Sequence, residues 1–120
     1  MAQVLAFLDD IFFQAKLVET AKQLGVEVRT CQTPEALDAE IAKAVPKLIV
    51  VDLNARFNPL DAVGRVQARG GEIPLIGFLS HVQHDLAERA RLAGCREIMP
   101  RSKFTKNLAT ILARAKSESG

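Results

Sequence analysis

The pattern of this sequence predicts an α/β protein with one five-stranded parallel sheet, strand order 2-1-3-4-5, and helices on both faces. Two observations predict it. Five short, mostly apolar runs (Val4–Leu8, Val26–Thr30, Leu48–Val51, Ile73–Leu79 and Arg96–Met99) alternate with longer stretches whose apolar residues fall three or four apart. The first, third and fourth runs are continuous, without alternating polar residues, which marks strands covered on both faces. Right-handed crossovers then leave few topologies, and 2-1-3-4-5 suits five βα units best.

Each element has a local signal. The first run closes on Asp9 and Asp10, and the helix Ile11–Leu24 carries Leu17, Val18, Ala21 and Leu24 on one stripe before Gly25 stops it. Ile11, Phe12 and Phe13 are consecutive and cannot share that stripe, so at least one is expected at the rim of the strand tips. The second helix has Thr33 as N-cap and Pro34 in its first turn, and buries Leu37 and Ile41. The third run ends in Asp52. The third helix opens at Asn58-Pro59, faces inward with Leu60, Val63 and Val66, and ends at Gly70-Gly71. The fourth is expected from about Val82 to Ala93 with Gly94 as its stop. A single last helix should follow Ser102, burying Phe104, Leu108, Ile111 and Leu112, with a frayed tail at Ser117–Gly120. No linker or repeat interrupts the series, so residues 1–120 are read as one domain with no second one attached.

Bulk properties exclude several classes. A net charge of +2 on 120 residues is too weak to make nucleic acid or an anionic membrane the main partner. The apolar runs are strand-sized, too short to span a bilayer. MAQVLAFLDD has no basic n-region, so a secretory signal is not expected. Cys31 and Cys95 lack metal-ligand spacing and read as reduced core thiols of a cytoplasmic protein.

The chemistry concentrates at the strand tips. In the order 2-1-3-4-5, strands 1 and 3 are neighbours and the chain reverses direction between them, where open α/β sheets bind ligands. Asp9, Asp10 and Asp52 all fall there. Three adjacent carboxylates cannot all stay ionised without a counter-cation, so the cluster predicts a divalent metal or a raised pKa. A plainer reading stands beside this one. Asp10 would N-cap the first helix with Asp9 solvated next to it, and Asp52 would bond to its own loop.

VLAFLDD, LIVVDLN, IPLIGFLSH and AGCREIMPRSKF, in this order and spacing, resemble the response-regulator receiver domain of bacterial two-component signalling over nearly the whole chain. The resemblance implies a flavodoxin-like (βα)5 three-layer sandwich, a stand-alone receiver without an output domain, and a place in a phosphorelay instead of enzyme activity of its own. It implies Asp52 as phospho-acceptor, and Mg²⁺ held by Asp9, Asp10, Asp52 and the backbone carbonyl of Asn54, since Mg²⁺ prefers hard oxygen ligands. Implied partners are a histidine kinase or other signalling protein, and a second copy through the last helices. Lys103, Lys106, Arg114 and Lys116 give those helices a basic side, otherwise read as a solvated face.

The departures from the family pattern are specific. Its hydroxyl at the end of the fourth strand falls on Leu79, with Ser80 one residue late and expected to point elsewhere. Its lysine falls on Arg101, followed by Ser102 in place of proline; Lys103 would substitute only in a remodelled loop. Arg101 keeps the charge but is bulkier and planar. Ile98 stands where the switching aromatic belongs, and Ala55-Arg56-Phe57-Asn58-Pro59 replaces a Gly-rich turn. Leu79 cannot hydrogen-bond a phosphoryl oxygen. The sequence therefore predicts an atypical receiver: either phosphorylated on Asp52, or a pseudo-receiver that binds proteins without phosphate. A small hydrolase using the same carboxylates ranks third, for want of a second acid or base and of a phosphate-cradling loop. His81 and His84 read as surface histidines.

Overall fold

The computed structural model describes residues 3–69, 72–80 and 83–116. Its strands are β1 (Val4–Phe7), β2 (Val28–Cys31), β3 (Leu48–Asp52), β4 (Leu75–Leu79) and β5 (Glu97–Pro100). They form one sheet in the order β2-β1-β3-β4-β5, every neighbouring pair parallel. The helices are α1 (Ile11–Leu24), α2 (Pro34–Lys43), α3 (Pro59–Ala68), α4 (His84–Ala93), α5 (Arg101–Lys106) and α6 (Leu108–Ala113). This is the flavodoxin-like three-layer sandwich that the alternation of runs and stripes predicts.

Alternation along each strand splits the core in two. Val4, Ala6, Leu48, Val50, Ile76 and Phe78 meet Phe13, Leu17 and Ala21 of α1 and Phe104, Leu108, Ile111 and Leu112 of α5 and α6. Leu5, Phe7, Ile49, Val51, Leu75 and Leu79 face the other way, against α2, α3 and α4. Every residue of β1 and β3 is buried, which is why these strands read as unbroken apolar runs. Cys31 and Cys95 are free and buried, and desolvation pushes both thiols up to about 11.

Local chemistry sets the boundaries. Gly25 closes α1 in the left-handed region, and its N–H bonds back to the carbonyls of Ala21 and Lys22. Asn58 is driven out of the helical region by Pro59 and settles at φ 58°, a conformation asparagine tolerates. Two expectations are corrected. The second strand begins at Val28, two residues late, because Val26 pairs instead with the α1 carbonyl of Ala21 in the helix-closing turn. The single last helix is two short ones, broken at Asn107, whose side-chain Nδ2 donates to the Lys103 carbonyl. α4 begins at His84 among the described residues; Gly70-Gly71, His81, Val82 and the tail at 117–120 lie outside them.

Candidate functional site: a carboxylate notch spanned by arginine

At the carboxyl edge of the sheet, β1 and β3 run side by side in register, Phe7 against Val51, and deliver the acidic residues to one notch. Asp10 is the N-cap of α1. Its Oδ1 accepts from the backbone N–H groups of Phe12 (3.0 Å) and Phe13 (3.1 Å). Asp52, the last residue of β3, is 2% exposed, and its Oδ1 accepts from the Asn54 N–H at 2.9 Å. The plainer readings of both residues are thus realised in the geometry, yet each uses only one oxygen.

Arg101 takes the other two. It is the first residue of α5, directly after β5, so its stem starts beside the strand tips. Nη1 donates to Asp10 Oδ2 at 2.9 Å and Nη2 to Asp52 Oδ2 at 3.0 Å. The guanidinium lies 4.8 Å from the centre of the Phe13 ring and 5.5 Å from that of Phe78. Those rings belong to a cluster in which Phe78 stacks on Phe104 at 4.5 Å. Asp9 is held by the loop after β3, its Oδ2 accepting from the Arg56 backbone N–H (3.0 Å) and Nε (3.2 Å).

The two carboxyls bridged by Arg101 differ electrostatically. Hydrogen bonding from Arg101 and then from the Phe13 N–H holds Asp10 below the usual carboxylate range. Burial pushes Asp52 above it, against the opposing pull of the Asn54 N–H and Arg101, while Asp9 and Asp10 add like-charge repulsion. The raised pKa of the sequence expectation has its counterpart in Asp52; the positive charge set against the carboxylates is that of Arg101, where the expectation named a divalent metal. The cation is a side chain.

Mg²⁺ demands near-octahedral oxygen ligands at about 2.0–2.1 Å and keeps several waters. The four oxygens of Asp10 and Asp52 each accept a hydrogen bond already, and the space between the carboxylates is filled by a positively charged group. Among the described residues no group of three or more His, Cys, Asp or Glu is arranged to hold a metal. As placed, the donor set fits a guanidinium and does not fit Mg²⁺. This arrangement runs against the Mg²⁺ ligand set of Asp9, Asp10, Asp52 and the Asn54 carbonyl that the resemblance implies.

The remaining candidates separate cleanly. Ser80 is exposed, and its backbone N–H donates to Asn54 Oδ1 at 2.6 Å, tying β4 to the β3 loop. Leu79 is buried on the far face, against α3 and α4, where it lines a hollow of about 130 Å³ with Ile98. Lys103 is exposed on α5, so Arg101 alone of the two reaches the notch. Lys106 and Lys116 are also exposed, and Arg114 forks onto Glu97. His84 opens α4 at the surface. Sequence reasoning missed the pairing of Arg56 with Asp9 and the flanking of Arg101 by Phe13 and Phe78. Only the presence at the rim of at least one of the three apolar residues after Asp10 was legible.

Comparison with solved structures places the fold. The receiver domain of NtrX from Brucella abortus superposes with a TM-score of 0.78 at 19% identity, over 93% of this chain and 96% of that one. CheY4, a chemotaxis protein of Vibrio cholerae, gives 0.78 at 24%, over 96% and 98%. HP1043, an orphan response regulator of H. pylori, gives 0.76 at 14%, over 96% and 97%. The chain spans 27% of a longer NtrX chain that it also matches. No protein-family model and no curated protein matches the sequence. The chain has the fold of response-regulator receiver domains. No helix among its described residues is long and apolar enough to cross a membrane.

Proposed function

We propose that this chain is a receiver-fold signalling module of the pseudo-receiver kind, acting in the cytoplasm by protein–protein contact and not as an enzyme. The observation that carries the reading is the Arg101 bridge. A phosphoryl acceptor needs a carboxylate oxygen free to attack and a cation to neutralise the incoming group. Here the two oxygens of Asp52 accept from the Asn54 N–H and from Arg101 Nη2. Leu79, in the place of the phosphate-binding hydroxyl, faces away from the notch. Contact surface is at hand beside it: Ile11 is 67% and Phe12 83% exposed, and Phe57 lies open in the β3–α3 loop. A histidine kinase or another signalling protein is the partner class that such a module implies.

The second reading, phosphorylation of Asp52 with Mg²⁺, draws on the position of Asp52 at the tip of β3 beside two more carboxylates. Incubation with Mg²⁺ and a small phosphodonor, read by intact mass with Asp52→Asn as control, separates the two. The proposal expects no phosphoryl adduct under conditions that label an ordinary receiver; an adduct absent from the variant establishes the second reading instead. Sedimentation of the same sample decides whether two copies pair, and charge reversal at Lys103 and Lys106 decides whether they do so through α5.

A further inference from the structure

We infer that Arg101 is the resident cation of the notch and is what keeps a divalent cation from the carboxylates. The inference deepens the proposed function, since it rests on the same closed notch and states what closes it. Its first support is geometric. One planar guanidinium reaches Asp10 at 2.9 Å and Asp52 at 3.0 Å through different nitrogens, as a bridging ion would, at distances typical of charge-assisted bonds.

The second support is how firmly the guanidinium is placed. Its backbone is fixed at the β5–α5 junction, and Phe13 and Phe78 lie within 5.5 Å of it. The third support is what withdrawal would leave. Asp10 and Asp52 would keep their orienting bonds from Phe12, Phe13 and Asn54, each with one oxygen released, beside Asp9. Preoriented hard-oxygen donors around uncompensated negative charge suit a small divalent cation. A fixed organic cation in that place would make the protein indifferent to Mg²⁺ concentration.

Arg101→Met tests this, because it keeps an unbranched apolar side chain beside the Phe13 and Phe78 rings while the charge is gone. Wild type and variant are titrated with Mn²⁺, following paramagnetic broadening of the Asp9, Asp10, Asp52 and Asn54 amide signals, and with Mg²⁺, following Tm. In wild type, millimolar Mg²⁺ should leave Tm unchanged and Mn²⁺ should not broaden those amides selectively. In the variant, affinity should be at least about tenfold tighter and Tm should climb with Mg²⁺, an effect lost when Asp52→Asn is added. If the variant is unfolded without metal, refolding on Mg²⁺ supports the inference and failure to refold overturns it. Selective broadening in wild type at submillimolar Mn²⁺ also overturns it, as does equal affinity in the two proteins. The two claims fail separately. Metal bound by a wild type that still takes no phosphoryl group sinks this inference alone, and a wild type labelled at Asp52 while showing no metal affinity sinks the function alone.

Discussion

Asp10 and Asp52 share one guanidinium, yet they have opposite relations to folding. Asp52 holds its proton more tightly in the folded protein than in the unfolded chain, because burial disfavours its charge. Its ionisation therefore opposes folding, an effect absent below the unfolded-state pKa and complete once pH has risen through the folded-state value. Asp10 has a depressed folded-state pKa, led by its bond from Arg101, so it adds stability above the unfolded-state value and loses it as pH falls through the folded one. Two neutral isosteres read these signs. Asp52→Asn should be no less stable than wild type at neutral pH, and any gain should shrink as acid protonates the wild-type carboxyl. Asp10→Asn should lose about 1 kcal/mol at neutral pH and regain parity in acid; asparagine caps a helix as well as aspartate does, so the loss isolates the Arg101 pair. Urea denaturation at neutral and acid pH measures both, and a clear loss of stability in Asp52→Asn at neutral pH would contradict the account of burial.

Elements were legible in the sequence in proportion to how local their causes are. β1 and β3 stand out because both faces of each are buried, so their apolar runs admit no other assignment, and their acidic ends follow directly. α1 and α2 were framed by Gly25, Thr33 and Pro34, chemistry confined to a turn. β2 was misplaced because it is an edge strand with Arg29 exposed, which weakens its apolar signature. The notch was half legible. Its carboxylates could be gathered from topology alone and Arg101 came only through the resemblance, in the place of the family's lysine; its bridge to both carboxylates was not legible, since Arg101 lies 49 residues from Asp52 and meets it only through the β5–α5 junction. The aromatic support of Arg101 depends likewise on a core that three elements share. Phe104 of α5 stacks on Phe78 of β4 and lies 5.9 Å from Phe13 of α1, so it underpins the rings flanking the guanidinium without touching a carboxylate. Phe104→Ala should cost about 3–5 kcal/mol through the cavity it leaves. It should also loosen the bridge, seen as faster exchange of the Arg101 side-chain N–H signals; a stability loss with those signals unmoved would show that the rings do not hold the arginine.

For the whole molecule the issue is whether the two faces of the sheet communicate. The notch opens on the α1–α5 side with Asp52 and Phe78, whereas Leu79 and Ile98 lie on the α3–α4 side, one residue away along β4 and on the neighbouring strand. A ligand at the notch shifts the far face only if it binds two arrangements of the molecule unequally. A hydroxyl at position 79 would be the link, because it could reach a group on Asp52 only by moving across the strand end; leucine has no donor with which to do so. Arg101 adds a second barrier by binding both carboxylates already. Removing both obstacles together, with Leu79→Thr and Arg101→Lys, should therefore open phosphoryl labelling at Asp52 in the presence of Mg²⁺. A lysine ammonium is compact and can retreat to one carboxylate, which frees oxygens for a metal. The double variant should be less stable by roughly 1–3 kcal/mol, since Leu79 is a buried member of the α3–α4 core. Intact mass after incubation with a small phosphodonor reads the gain, and amide shifts around Ile98 report whether the signal crosses the sheet. Labelling at the wild-type level in a folded double variant would mean that neither residue is what closes the site, and the cause would have to lie in the Arg56-Phe57 loop over Asp9.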